Sequence, residues 1–158
     1  MLNKNQIKKN ERTFRTEVFY KKYKNLVSED SPIFDPNPYR FPSGQTDNSG
    51  SGYAQGFDVF FRDQKSLKNG DFWLTYSYLD TERQFRNYTE AAVPHFATKH
   101  NFSAIYKQFL TPISTNVGVT FTHTSGRPVY TLGEDFKEVE QTKAFQNLSL
   151  SASHVKFI

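Results

Sequence analysis

Asn116-Val117-Gly118-Val119-Thr120-Phe121-Thr122 carries the reading of the fold. In an extended chain Val117, Val119 and Phe121 fall on one side, and Asn116, Gly118, Thr120 and Thr122 on the other. The same two-residue period recurs outward from it. Phe102, Ala104 and Tyr106 precede it; Leu148, Leu150 and Ala152 follow, set against Asn147, Ser149, Ser151 and Ser153. Phe72, Leu74, Tyr76 and Tyr78 alternate with Trp73, Thr75 and Ser77 after an Asn69-Gly70 pair, the strongest short hairpin signal in the chain. Tyr53, Phe57, Val59 and Phe61 oppose Ala54, Gly56, Asp58 and Arg62, and Phe14, Thr16, Val18 and Tyr20 oppose Arg15, Glu17 and Lys21, with Phe19 and Tyr23 out of phase. Helical spacing competes nowhere, so the expected fold is all-β: an antiparallel up-and-down meander of six strands.

The connections alternate in length. Residues 28–51, 83–98 and 125–141 form long links, whereas the Asn-Gly turn and Thr111-Pro112 are tight. Short turns at one rim and long loops at the other belong to barrels of the outer-membrane type. The faces agree with that pattern. A soluble sandwich fills its interior with Val, Ile and Leu, whereas here Phe and Tyr load the apolar face and Ser, Thr, Asn and Gly the other. Aromatic groups facing lipid and small polar groups facing a hydrated lumen satisfy both patterns.

Composition narrows the alternatives. The chain has 158 residues, 16 Phe and 9 Tyr, and a net charge of +4, which suits one folded unit rather than a disordered segment. With no cysteine, disulfides, thiolate catalysis and cysteine-based metal sites are excluded. Residues 1–12 are rich in Lys and Asn without an apolar stretch, so no secretory signal is expected there. No run approaches the roughly 20 apolar residues of a spanning helix, which leaves membrane strands open. The basic residues are scattered, and no nucleic-acid partner is expected.

Several strings, taken in succession, resemble the C-terminal part of the barrel of TonB-dependent outer-membrane receptors of Bacteroidetes-like bacteria. They are Glu17-Val18-Phe19-Tyr20-Lys21-Lys22-Tyr23-Lys24-Asn25-Leu26-Val27, Gly52-Tyr53-Ala54-Gln55-Gly56-Phe57-Asp58-Val59, Tyr76-Ser77-Tyr78, Pro94 with Lys99-His100-Asn101-Phe102, and Ser125-Gly126-Arg127-Pro128-Val129-Tyr130-Thr131. The last is the most specific match. The resemblance implies that residues 1–158 are part of a transmembrane barrel of about 22 strands, in the bacterial outer membrane, without its plug domain. It also implies active uptake of a scarce ligand of the siderophore, vitamin or oligosaccharide class. The implied partners are membrane lipid, the remaining barrel and plug, and, through the plug, the inner-membrane TonB complex. On the long links Tyr39, Arg40, Tyr88 and Arg127 are the candidate ligand-binding tips. The alternative is a soluble β-barrel or sandwich that binds an apolar small molecule.

No chemistry-bearing constellation competes. His95, His100, His123 and His154 lack the spacing of a helical zinc site. The acidic group Glu134, Asp135, Glu138 and Glu140 reads as a solvated loop. Asp47-Asn48-Ser49-Gly50-Ser51-Gly52 lacks the alternating acids and closing Glu of a calcium loop and reads as a loop tip. Without a Gly-x-Ser-x-Gly elbow or a phosphate-cradling loop before a helix, no enzyme activity and no cofactor are expected.

Overall fold

The computed structural model describes residues 2–9, 11–29, 45–84, 86, 88, 90–130 and 138–156. Among the described residues nine strands follow one another: β1 (Leu2–Lys9), β2 (Arg12–Glu29), β3 (Thr46–Asp63), β4 (Gly70–Gln84), β5 (His100–Leu110), β6 (Thr115–Thr124), β7 (Pro128–Tyr130), β8 (Glu138–Gln141) and β9 (Phe145–His154). A single 3-10 turn, Thr111–Ile113, joins β5 to β6. Seven strands make one sheet in the order β1-β2-β3-β4-β5-β6-β9, every neighbour antiparallel, while β7 and β8 form a separate hairpin. The up-and-down meander expected from the sequence is therefore present, with one more strand than the six expected. In a seven-strand antiparallel sheet the two outermost strands, β1 and β9, run in the same direction.

The added strand has a physical explanation. Residues 4–9 contain one apolar side chain, Ile7, so no two-residue period marks them; pairing Ile7 with Phe14 and Lys4 with Glu17 along β2 makes them a strand. A second difference lies at the start of β3. Asp47-Asn48-Ser49-Gly50-Ser51-Gly52, expected as a loop tip, is strand, carried by β2, which reaches Glu29 and pairs with it through two register shifts. Asn25, with φ of 57°, sits at the first shift, where a bulge changes the register. A third concerns Asn69-Gly70. It closes no two-residue hairpin: Asp63 pairs with Phe72, and Asn69 takes φ of 56° at the end of a longer turn before Gly70 opens β4. In that turn the Asp63 carboxylate accepts the N–H groups of Lys65 and Ser66 at 2.8 and 2.9 Å, so its local chemistry outweighs the Asn-Gly preference.

Register separates the faces cleanly. Side chains of directly paired residues point the same way, so Phe14, Phe61, Leu74, Ala104, Phe121 and Leu148 lie in one cross-strand row. Val18, Phe57, Tyr78 and His100 form another on the same side. The opposite side carries rows such as Glu17, Asp58, Ser77 and Asn101, and Arg15, Phe60, Thr75, Ser103, Thr122 and Asn147. Ring contacts stitch the apolar side: Phe57 lies 5.8 Å from Tyr76 and 5.6 Å from Tyr78, and Phe102 lies 6.3 Å from Phe121. On the polar side cations rest on aromatic faces instead, Arg15 over Phe60 at 5.3 Å and both Arg62 and Lys107 over Trp73 at 5.4 and 5.3 Å.

The sheet has no second layer among the described residues. Ile7, Phe14, Val18, Phe57, Val119, Leu148 and Leu150, all on the apolar side, remain 36–75% exposed. At ~1.5–3 kcal/mol for each fully buried side chain, the half left uncovered on these seven corresponds to about 5–10 kcal/mol. That is as large as the whole net stability of an ordinary domain, so this face requires a cover.

Gly56 tests the packing of the polar side. A Cβ there would collide with the Tyr78 carbonyl oxygen and sit 3.0 Å from the Phe19 ring. Gly56→Val is expected to destabilise the sheet by about 1–3 kcal/mol, the usual cost of overpacking, as a lowered midpoint in thermal or denaturant unfolding.

Candidate functional site

The long connections all leave the sheet at one rim, and every described residue that is buried lies at that end. These are Glu29, Gly50, Ala54, Thr81, Arg86, Tyr88, Pro94, Ala97 and Pro128. The cause is a strap, residues 90–97 with Arg86 and Tyr88, that folds back over the polar side. Its first tie is to β4: Arg83 and Ala92 exchange backbone hydrogen bonds at 2.9 and 3.1 Å. Arg83 then stacks on Tyr23 at 4.3 Å, donates to the Tyr23 hydroxyl at 3.2 Å, and lies 5.8 Å from the Phe96 ring, so Phe96 caps an arginine of the polar face. Beneath it Ala54 and Thr81 are only 3% exposed, and the Thr81 hydroxyl donates to the Tyr53 carbonyl at 2.6 Å.

The second tie is to β2, where the Glu29 N–H donates to the Arg86 carbonyl and the Arg86 N–H to the Val27 carbonyl, each at 2.7 Å. The third is to the β7–β8 hairpin. Tyr88 and Tyr130 meet at 5.9 Å, and the Tyr130 hydroxyl donates to the Val93 carbonyl at 2.5 Å. Ser125 anchors the chain leaving β6, since its hydroxyl accepts the N–H groups of Lys99 and His100 at 3.0 Å. Arg127 and Thr142 close the hairpin stem through reciprocal 2.9 Å bonds. The connections after β4 and after β6 thereby meet in one body, tied to the end of β2.

Two of its titratable groups are displaced from their ordinary range. Burial, and then the nearby Arg86 and Arg127 guanidiniums, push the His95 imidazole below its ordinary range. Burial raises the Tyr88 phenol, opposed by the His95 N–H and by Arg86, so Tyr88 is a neutral hydroxyl at physiological pH. The two residues touch: the Tyr88 hydroxyl lies 3.3 Å from His95 Nδ1 and accepts the His95 N–H at 3.4 Å.

Of the four candidate tips, Tyr39 and Arg40 lie outside the described residues. Arg127 is exposed on the hairpin stem. Tyr88 is 4% exposed and is an interior anchor of the strap rather than a tip. The arrangement also assigns roles to Arg83, Arg86, His95, Phe96 and Tyr130, which sequence reading left without one. A tyrosine, a proline and a histidine within a polar loop, at Tyr88, Pro94 and His95, were the available signal. Among the described residues no group of three or more metal-ligating side chains gathers. Among the described residues no helix is long and apolar enough to cross a membrane, which bears on helical spans alone. Compared with protein-family models, curated proteins and solved structures, the chain matches none.

Tyr130→Phe removes one hydroxyl and leaves the Val93 carbonyl without it. The expected loss is about 1–2 kcal/mol of local stability, read as faster proteolysis within residues 90–97, with the far-UV circular dichroism of the sheet unchanged.

Proposed function

We propose that this chain is a wall segment of a TonB-dependent outer-membrane receptor, a barrel that takes up a scarce ligand of the siderophore, vitamin or oligosaccharide class. In this reading the apolar side meets lipid and the polar side meets the hydrated lumen and plug. In it the strap and hairpin form part of the outer mouth, where the exposed Arg127 meets ligand. The plug, joined to the inner-membrane TonB complex, supplies the coupling to energy.

The observation that carries the reading is the uncovered aromatic and aliphatic band. On β2 and β3 it runs between a polar line at Arg12 and Asp63 and another at Gln55, which β4 continues as Asp80. Asp63 and Gln55 are eight residues apart, about 27 Å along a strand and about 21 Å along the normal at a barrel's usual tilt, close to the ~25 Å apolar band of such barrels. Tyr20 and Tyr53 flank the upper line, as aromatic groups do at a headgroup boundary. The open edges of β1 and β9 support the same reading. Unpaired backbone groups cost several kcal/mol each in hydrocarbon, so a sheet in lipid requires further strands at both edges. Because β1 and β9 run the same way, an all-antiparallel barrel requires an odd number of strands to close the gap between them.

A pair of substitutions on β6 separates lipid from water. Val119→Arg, on the apolar side, is expected to weaken folding into lipid vesicles by about 1–2 kcal/mol, the cost of a lipid-facing arginine between a bilayer's midplane and its interface. Thr120→Arg, on the polar side, is expected to stay within about 0.5 kcal/mol. Urea titration of Trp73 fluorescence in vesicles reads both. A chain that is a folded, monodisperse monomer in buffer without detergent overturns the proposal in favour of a soluble binding module.

A further inference from the structure

We propose that the apolar side of β2 and β3 carries a binding site for one anionic acyl lipid, with the tail in an apolar trough and the phosphate head against Lys22 and Lys24. The inference rests on the reading that this side meets lipid, and it names the kind of lipid held there. Two hollows meet end to end. The first, of about 470 Å³, has Val18, Tyr20, Phe57 and Tyr78 in its walls. The second, of about 400 Å³, has Lys22, Lys24, Ser51, Tyr53 and Glu82, and shares Tyr20 with the first. Register aligns them: Val18, Tyr20, Lys22 and Lys24 alternate along β2 and so share one side, and they pair in turn with Phe57, Gln55, Tyr53 and Ser51 of β3. The polar line at Gln55 and Asp80, where Gln55 donates to the carboxylate at 2.8 Å, runs between the hollows. The first therefore falls within the apolar band and the second beyond it.

The two hollows have opposite chemistry. In the first, Val18 and Phe57 are 57% and 38% exposed, with Phe57 stacked on Tyr78, a surface that an acyl chain covers better than water does. In the second, Lys22 and Lys24 are exposed, and among the described residues neither is ion-paired. The nearby acids leave them available. Asp80 is engaged by Gln55 and, at 3.4 Å, by the Tyr53 hydroxyl, while Glu82 stands across β3 from Lys22, with about 10 Å between their backbones. Two lysines against one carboxylate leave the second hollow cationic. An amphiphile with a negative head and an apolar tail meets both surfaces at once, whereas a free anion meets only the second and an apolar molecule only the first. The reach agrees: Lys22 stands two residues beyond Tyr20, about 7 Å along the strand, and a lysine stem follows apolar surface while its ammonium extends to the phosphate level.

Native mass spectrometry of the chain released from non-ionic detergent, titrated with phosphatidic acid or with phosphatidylcholine of the same chain length, tests the site. One phosphatidic acid is expected to be retained, and phosphatidylcholine, whose head carries its own positive charge, several-fold more weakly. Lys22→Gln combined with Lys24→Gln is expected to weaken phosphatidic acid about 25-fold, about fivefold for each lysine at a charged lipid surface, and to change phosphatidylcholine little. Glu82→Gln is expected to strengthen phosphatidic acid, and Lys65→Gln with Lys68→Gln, in the turn at the opposite rim, to leave it unchanged. Val18→Trp, which fills the trough, is expected to weaken both lipids, and inorganic phosphate at the lipid's concentration to displace neither. Equal retention of the two lipids overturns the proposal. So does a preference that survives the paired Lys22 and Lys24 substitutions, displacement by inorganic phosphate, or retention indifferent to Val18→Trp. Dihexanoyl phosphatidic acid, which dissolves as a monomer, carries the same titration into buffer if the apolar side proves not to need detergent, so failure of the lipid site and failure of the membrane reading are separate results.

Discussion

A β-sheet one layer thick satisfies its backbone hydrogen bonds in its own plane and leaves both faces to be covered or solvated by something else. In this chain the seven-strand ladder does the first part, and the two faces have opposite chemistry. One presents Phe, Tyr, Val and Leu without a partner layer; the other presents hydroxyls, amides and ions. The apolar face therefore decides the biology: water is a poor solvent for it, and the stability forgone there rivals what a domain has to spare.

The polar face solves a different problem. It carries large aromatic groups as well, Phe19, Tyr23, Phe60 and Trp73, yet five of the cations on that side lie over them: Lys21 at 5.5 Å, Arg83 at 4.3 Å, Arg15 at 5.3 Å, and Arg62 and Lys107 at 5.4 and 5.3 Å. An aromatic ring under a cation needs no apolar cover and leaves a charged, hydrated surface above it. Arg62 is further held by Asp71, with Nε donating to the carboxylate at 3.0 Å. The polar side is thus cross-linked by charge as well as by its ladder.

Burial is concentrated at a single place, the rim where the strap crosses the polar face. The body there joins residues that are far apart in sequence, from Tyr23 to Tyr130, and among the described residues its interior is small: a tyrosine, two prolines, two alanines, a glycine and a threonine, with an arginine and a glutamate. So small an interior is held by hydrogen bonds and ring contacts more than by buried area.

The sequence by itself determined the sheet. In β4, β5, β6 and β9 the two-residue period is strong enough that register follows from which side must be apolar, and shifting Val119 by one residue would expose Phe and Tyr on the wrong face. It did not determine β1, whose Lys and Asn residues have no period and become strand by pairing with β2, nor the Gly- and Ser-rich start of β3, which β2 carries in the same way. The candidate site was half legible. Arg127 could be singled out as a polar residue on a long link, while Tyr88 looked like a tip and is an anchor. Only the tertiary structure brought Tyr88, His95, Arg86 and Tyr130 together, because their contacts join separate connections and no local period encodes them. Periodicity reports what a strand's neighbours must be, and contacts between loops depend on where the chain returns.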